Sequence, residues 1–194
     1  GRGNLRYLSP LSFDERHRLS ANIDYRYGSG IQYNGPRWFG ADVFSEAGIS
    51  LQANAASGRP YTKEQRPDRF GSSGVGGAIN GARLPWNFSL DMRIDKSFRI
   101  AGKENGKPLF MNVYLRVENL LDQRNVVGVY AASGSAYDDG YLVTPNGQSS
   151  IQTLVDSGRE DDVANYLISY QWGELVPGFF TLPRRVYLGA VLQF

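Results

Sequence analysis

The chain has 194 residues and a net charge of +2, enough length for one domain with a sizeable core and too little charge for a field that gathers nucleic acid. It has no cysteine, which excludes a disulfide framework, thiol chemistry and cysteine metal sites. No apolar run reaches the roughly 18–20 residues of a spanning helix, and the opening GRGNLRYLSP lacks the apolar core of a signal peptide.

The first clear element is HRLSANIDYRYG, where Leu19, Ala21, Ile23, Tyr25 and Tyr27 alternate with Arg18, Ser20, Asn22, Asp24 and Arg26. Successive side chains of a strand leave opposite faces, whereas a helix would scatter these residues around its circumference. In AGISLQANAAS, Ala47, Ile49, Leu51, Ala53 and Ala55 alternate with Gly48, Ser50, Gln52 and Asn54. In WNFSLDMRIDKSFRI, Trp86, Phe88, Leu90, Met92 and Ile94 alternate with Asn87, Ser89, Asp91, Arg93 and Asp95, and the strand continues through Phe98 and Ile100. LFMNVYLRVEN sets Leu109, Met111, Val113, Leu115 and Val117 against Phe110, Asn112, Tyr114, Arg116 and Glu118, a strand expected to extend towards Tyr130. In SSIQTLVDSGREDDVANYLISYQW, Ile151, Leu154 and Val155, then Val163, Tyr166, Leu167 and Tyr170, recur at helical spacing. They predict one or two short helices over a barrel mouth, or else a helix packed on a sheet in an α+β protein. The final RRVYLGAVLQF is a fifth strand, with Val186, Leu188, Ala190, Leu192 and Phe194 on one face.

The polar faces carry Asp91, Arg93, Asp95, Arg116 and Glu118, groups that need water or partners. Such alternation fits a soluble sandwich strand, and equally a strand between lipid and a wet lumen. Three features favour lipid. The strands exceed the usual ~5–6 residues of soluble proteins and match the ~9–11 of a tilted spanning strand. Tyr25, Tyr27, Trp38, Phe39, Trp86, Phe88 and Phe98 gather near segment ends, as interfacial girdles do. The connections alternate in length, with 101–108 short and 58–85 and 131–183 long. The expected fold is all-β: an antiparallel transmembrane β-barrel segment with long extracellular loops and a short helix in the last one. Five strands cannot close a barrel whose smallest single-chain form has about 8, so other strands or other copies are expected to complete it.

Motifs for chemistry are weak. His17, the only histidine, is flanked by no recognisable Ser–His–Asp arrangement and reads as a strand-end surface residue. YDDGY (137–141) and REDD (159–162) cluster carboxylates without the spacing of a dedicated calcium loop, so no metal or cofactor is expected. GSSGVGGAING (71–81) lacks the following Lys-Ser/Thr of a phosphate loop and is expected to be a mobile extracellular loop. Tyr61, Tyr130, Tyr137, Tyr141 and Trp172 offer loop aromatics for stacking on a sugar or peptide, or for packing the loops together. The polar wall reads as a charge-paired surface, and no enzyme activity is expected of it.

The C-terminal Tyr187, Gly189, Leu192 and Phe194 resemble the outer-membrane assembly signal, an amphipathic terminal strand that pairs with the barrel-assembly machinery. ASGRPYT (56–62) looks like the SG-PYT stretch of TonB-dependent receptors, NFSLDMRIDKSF like their next strand, and VYLRVENLLDQRN (113–125) like a further one, through Val117, Asn119, Leu120, Leu121, Asp122 and Asn125. The resemblance covers roughly residues 13–194 and is closest in style to receptors of Bacteroidota-type bacteria, including those with a carboxypeptidase-regulatory-like N-terminal domain. It implies a plugged barrel of about 22 strands. Residues 1–194 would be its C-terminal part, with the plug and N-terminal strands upstream. It also implies a periplasmic C-terminus in the bacterial outer membrane, with 58–85 and 131–183 extracellular and 28–45 and 101–108 periplasmic. The implied partners are outer-membrane lipid, the assembly machinery, the rest of the barrel with its plug, the energy-coupling TonB complex and a surface lipoprotein. The implied role is uptake of a large nutrient such as an iron chelate, glycan or peptide. A structural or secretion-associated barrel without pumped transport, and a soluble β-rich binding domain, are the alternatives.

Overall fold

The computed structural model describes residues 8–101 and 108–193; Phe194, read above as the end of the assembly signal, lies outside them. The chain divides into two compact units.

One unit, residues 19–55, 88–123 and 182–194, holds a five-stranded sheet. Its strands are β1 (Arg18–Arg26), β2 (Ala47–Ala56), β7 (Asn87–Ala101), β8 (Leu109–Glu118) and β9 (Arg185–Gln193), in the order β1-β2-β7-β8-β9. Each strand neighbours the next large strand in sequence, as connections in antiparallel sheets favour. β7 and β8 pair antiparallel with Met92 opposite Val117 and Phe98 opposite Met111; β8 and β9 pair with Val117 opposite Val186 and Met111 opposite Leu192. The register therefore aligns the apolar rows Met92–Val117–Val186 and Ile94–Leu115–Leu188 on one face. It aligns Arg93–Arg116–Tyr187 and Asp95–Tyr114–Gly189 on the other. The five alternating stretches form strands as expected, with β7 spanning 15 residues. The sheet does not close among the described residues; β1 and β9 are free edges.

β8 is shorter than expected. It stops at Glu118 rather than running towards Tyr130, because Asn119 (φ 54°) and Asp122 (φ 53°) turn the chain through the left-handed region. Asn119 Oδ1 accepts the Gln123 N–H, and its amide donates to the Leu182 carbonyl (3.1 Å). Asp122 Oδ1 accepts the Arg184 N–H (2.8 Å). The asparagine and aspartate of the VENLLDQRN stretch thus tie the end of β8 to the approach of β9.

The other unit, residues 1–18, 56–87 and 124–181, is built from the segment before β1, the β2–β7 connection and the β8–β9 connection. β3 (Pro60–Tyr61) pairs with β6 (Ala82–Arg83), and β4 (Glu64–Asp68) with β5 (Gly71–Val75). The first part of the glycine-rich stretch, 71–75, is thus one strand of a hairpin, a pairing its lack of side chains concealed. Two helices follow, α1 (Pro145–Asp156) and α2 (Asp161–Gly173). Thr144 caps α1 by accepting the Gly147 N–H, with Pro145 in the first turn; Asp161 and Asp162 sit in the first turn of α2, where the helix dipole favours them. Among the described residues the fold is mostly β, with antiparallel pairing and two α-helices, and no helix is long and apolar enough to cross a membrane.

Candidate functional site

The polar face of the sheet brings together all five charged residues read from the alternation. Asp95 lies at its centre, 7 % exposed. Arg26 Nη2 donates to both Asp95 oxygens at 2.9 and 3.0 Å. That arginine belongs to β1 and reaches β7 by crossing β2 over Gly48, where a Cβ would stand 2.7 Å from its guanidinium. Asn112 Nδ2 bridges Asp95 (3.0 Å) and Ser97 Oγ (3.1 Å). Arg93 lies 4.0 Å from Asp95 and stacks 4.3 Å above the Tyr114 ring. Tyr114 in turn covers Gly189, where a Cβ would come within 2.5 Å of the ring and hydroxyl. This gives the glycine of the assembly-signal pattern a packing reason: an aromatic ring shields backbone that no side chain protects.

Glu118 is held by Arg116 (2.9 Å) and Arg185 (2.6 Å), and Asp91 accepts the Asn119 N–H at 2.8 Å. A cavity of about 200 Å³ opens between Ser50, Gln52, Asp91, Arg93 and Arg116. Tyr187 joins this face beside Arg116, whereas Leu192 lies on the apolar face opposite Met111. The face can bind by charge and hydrogen bonding. Arg26, Gly48, Asn112 and Tyr114 complete it, and only their position on the alternating pattern hinted at this.

In the second unit the expected loop aromatics separate. Tyr130 is buried, packs edge-on to Phe179 and donates to the Glu174 carbonyl at 3.0 Å. Tyr141 stacks on Tyr170. Tyr137 and Trp172 are exposed, with Tyr137 tilted against Phe180. Tyr61 sits on β3, its hydroxyl 2.8 Å from where a Cβ of Gly134 would stand. Tyr130 and Tyr141 therefore pack the unit, while Tyr137 and Trp172 keep their surfaces free.

At the centre of this unit Asp139, wholly buried, accepts from Tyr141 N (2.7 Å), Phe70 N (2.9 Å) and the Tyr170 hydroxyl (2.5 Å). Its own N–H donates to Glu174 Oε1 at 2.9 Å. Asp138, Asp139 and Glu174 place one carboxylate oxygen each within 4.8 Å of one another. Burial pushes the Glu174 carboxyl above its usual range, and the Asp139 and Asp138 charges add to this against the Asp139 N–H. Burial, with the nearby Asp139, likewise raises the Tyr170 and Tyr130 hydroxyls. The YDDGY stretch supplies two of these carboxylates; Glu174 comes from far along the chain and carried no sequence signal.

The stretch that resembles SG-PYT is structural in its local role. Ser57 and His17 exchange hydrogen bonds, His17 N to Ser57 Oγ (3.1 Å) and Ser57 N to His17 O (2.8 Å). The His17 ring is stacked parallel to Trp86 at 6.0 Å. A Cβ on Gly58 would run into the Leu84 carbonyl. No protein-family model, curated protein or solved structure matches this chain.

Proposed function

We propose that this chain is the C-terminal wall of an outer-membrane β-barrel of the TonB-dependent receptor type, taking part in uptake of a large nutrient such as an iron chelate, glycan or peptide. The observation that carries this reading is the sheet itself. It exposes a continuous apolar face, with Leu188 at 78 % and Ile23 at 63 %, while its other face holds a paired charge network. A soluble protein rarely leaves so large an apolar patch in water, whereas lipid requires one. Lipid also requires that both free edges be paired, which calls for further strands of the same barrel. In this reading the polar face lines the lumen against a plug, residues 58–85 and 131–183 are extracellular, and Tyr137 and Trp172 contact ligand. The chain does no covalent chemistry; energy comes from the TonB complex, insertion from the assembly machinery, and a surface lipoprotein is a further partner.

The intact mass of the native polypeptide in an outer-membrane fraction tests this. A mass several times the 21.5 kDa of this chain, soluble only in detergent, is the expected result. A 21.5 kDa polypeptide recovered in buffer alone would refute the barrel.

A further inference from the structure

Two hollows lie near one another at one end of the sheet. The first, about 180 Å³, is lined almost wholly by apolar groups, among them Tyr25, Tyr27, Phe44, Ile49 and Ile94. The second, about 410 Å³, is lined by Ser45 and Glu46, by β7 from Lys96 to Arg99, and by Phe110. Their linings have no residue in common but run next to one another in the chain, Phe44 before Ser45 and Glu46, and on β7 Ile94 and Lys96 are successive members of the same face.

Lys96 is the one charged side chain on the apolar face among the described residues. Its Nζ donates to the Val43 carbonyl and lies 5.2 Å from the centre of the Phe98 ring. The stem therefore lies along apolar surface while the head reaches the turn before β2, as a lysine does at a membrane interface. Arg99 leaves the opposite face of β7. With Ser97 and Phe110 of the same face, it lines the hollow where β2 has not yet begun: β2 starts at Ala47, and the Ser97 N–H donates to the Glu46 carbonyl in the turn just before it. Neither Lys96 nor Arg99 has a carboxylate partner among the described residues, and Glu46 is the one acidic residue lining the hollow.

We propose that these hollows hold one phospholipid with a primary amine in its headgroup: an acyl chain in the apolar groove, the phosphate on Lys96 and Arg99, and the ammonium on Glu46. This rests on the membrane reading above. Two cations with one carboxylate match a phosphate beside an ammonium, and the neighbouring apolar groove matches the chain attached to them. A headgroup without the ammonium brings no cation to pair with Glu46.

The test uses the full-length protein purified from outer membranes, stripped of lipid in detergent and titrated with phosphatidylethanolamine or phosphatidylglycerol by native mass spectrometry. One phosphatidylethanolamine should bind per chain, in preference to phosphatidylglycerol. Lys96→Gln with Arg99→Gln should weaken it about tenfold, the scale of one lost charge-assisted hydrogen bond. Glu46→Gln, which keeps the backbone carbonyl that Ser97 uses, should erase the headgroup preference. Unchanged binding by the double variant with native circular dichroism, or equal binding of both lipids by the unsubstituted protein, overturns the inference and leaves the barrel standing. Recovery of the protein in the soluble fraction overturns both.

Discussion

The two units handle apolar surface in opposite ways. In the loop-built unit Tyr130, Ala136 and Tyr170 are buried, and the polar atoms beside them are matched donor to acceptor. In the sheet Val117 is buried, yet Leu19, Ile23, Ile94, Leu188 and Leu192 stand open in aligned rows. The loop-built unit also exposes apolar residues, such as Val143 and Ile168, but it has a core of its own. One unit covers its own core; the sheet leaves its apolar rows open among the described residues. Burying those rows would add to the stability of the sheet in a way its own packing does not.

The sharpest way to break this contrast is to damage the self-contained core. Asp139→Ala strands the Phe70 and Tyr141 N–H groups and the Tyr170 hydroxyl, and should cost about 3 kcal/mol or more. Hydrogen exchange at the Phe70 and Tyr141 amides reads it; unchanged protection would mean the cluster does not organise the unit.

Leu188→Arg addresses the sheet. On a water-facing surface the change is close to neutral, because Leu188 is already open. On a lipid-facing wall it should cost roughly 2–4 kcal/mol near the bilayer centre. Reversible denaturation in lipid vesicles separates the two, and a null effect there would argue against lipid on that face.

Next comes the charged network. Arg26→Met removes the bidentate partner of a carboxylate that is almost fully buried, and should cost about 2–3 kcal/mol. Asp95→Asn combined with it should recover much of that loss, so the two changes will be non-additive in a double-mutant cycle. Simple additivity would mean the pair is bridged by water and contributes little.

The smallest effect concerns pH. Glu174 has its folded pKa raised above the ordinary 4.5, so its contribution to stability is present below that value and is lost as pH rises through the raised one. Glu174→Gln should therefore raise the protection of the Asp139 segment at neutral pH, remove that pH dependence, and leave the unit unchanged in acid. A loss of protection at neutral pH would show that the ionised carboxylate is the stabilising form.

Much of the sheet was legible because a period of two is a local property: Ile94 and Asp95 announce opposite faces by being adjacent. The two helices were legible for the same reason. The limit of β8 was not, because Asn119 and Asp122 act through backbone conformation and through bonds to Leu182 and Arg184 across the sequence. The hairpin of β4 and β5 was hidden because Gly71 to Val75 carries little side-chain pattern, and the core of the second unit because Asp139 and Glu174 meet only after the chain has folded. Of the polar face, sequence showed which residues share it but not that Gly48 and Gly189 are clearances for Arg26 and Tyr114.

The Arg26–Asp95 pair works as a parity check on strand order. It spans β1 to β7 and passes through the one gap that Gly48 leaves in β2. A slip of β1 by a single residue would turn Arg26 to the apolar side, strand Asp95 without its main counter-charge and press a side chain against the wrong neighbour. A β1 out of register is thus penalised by charge as well as by packing.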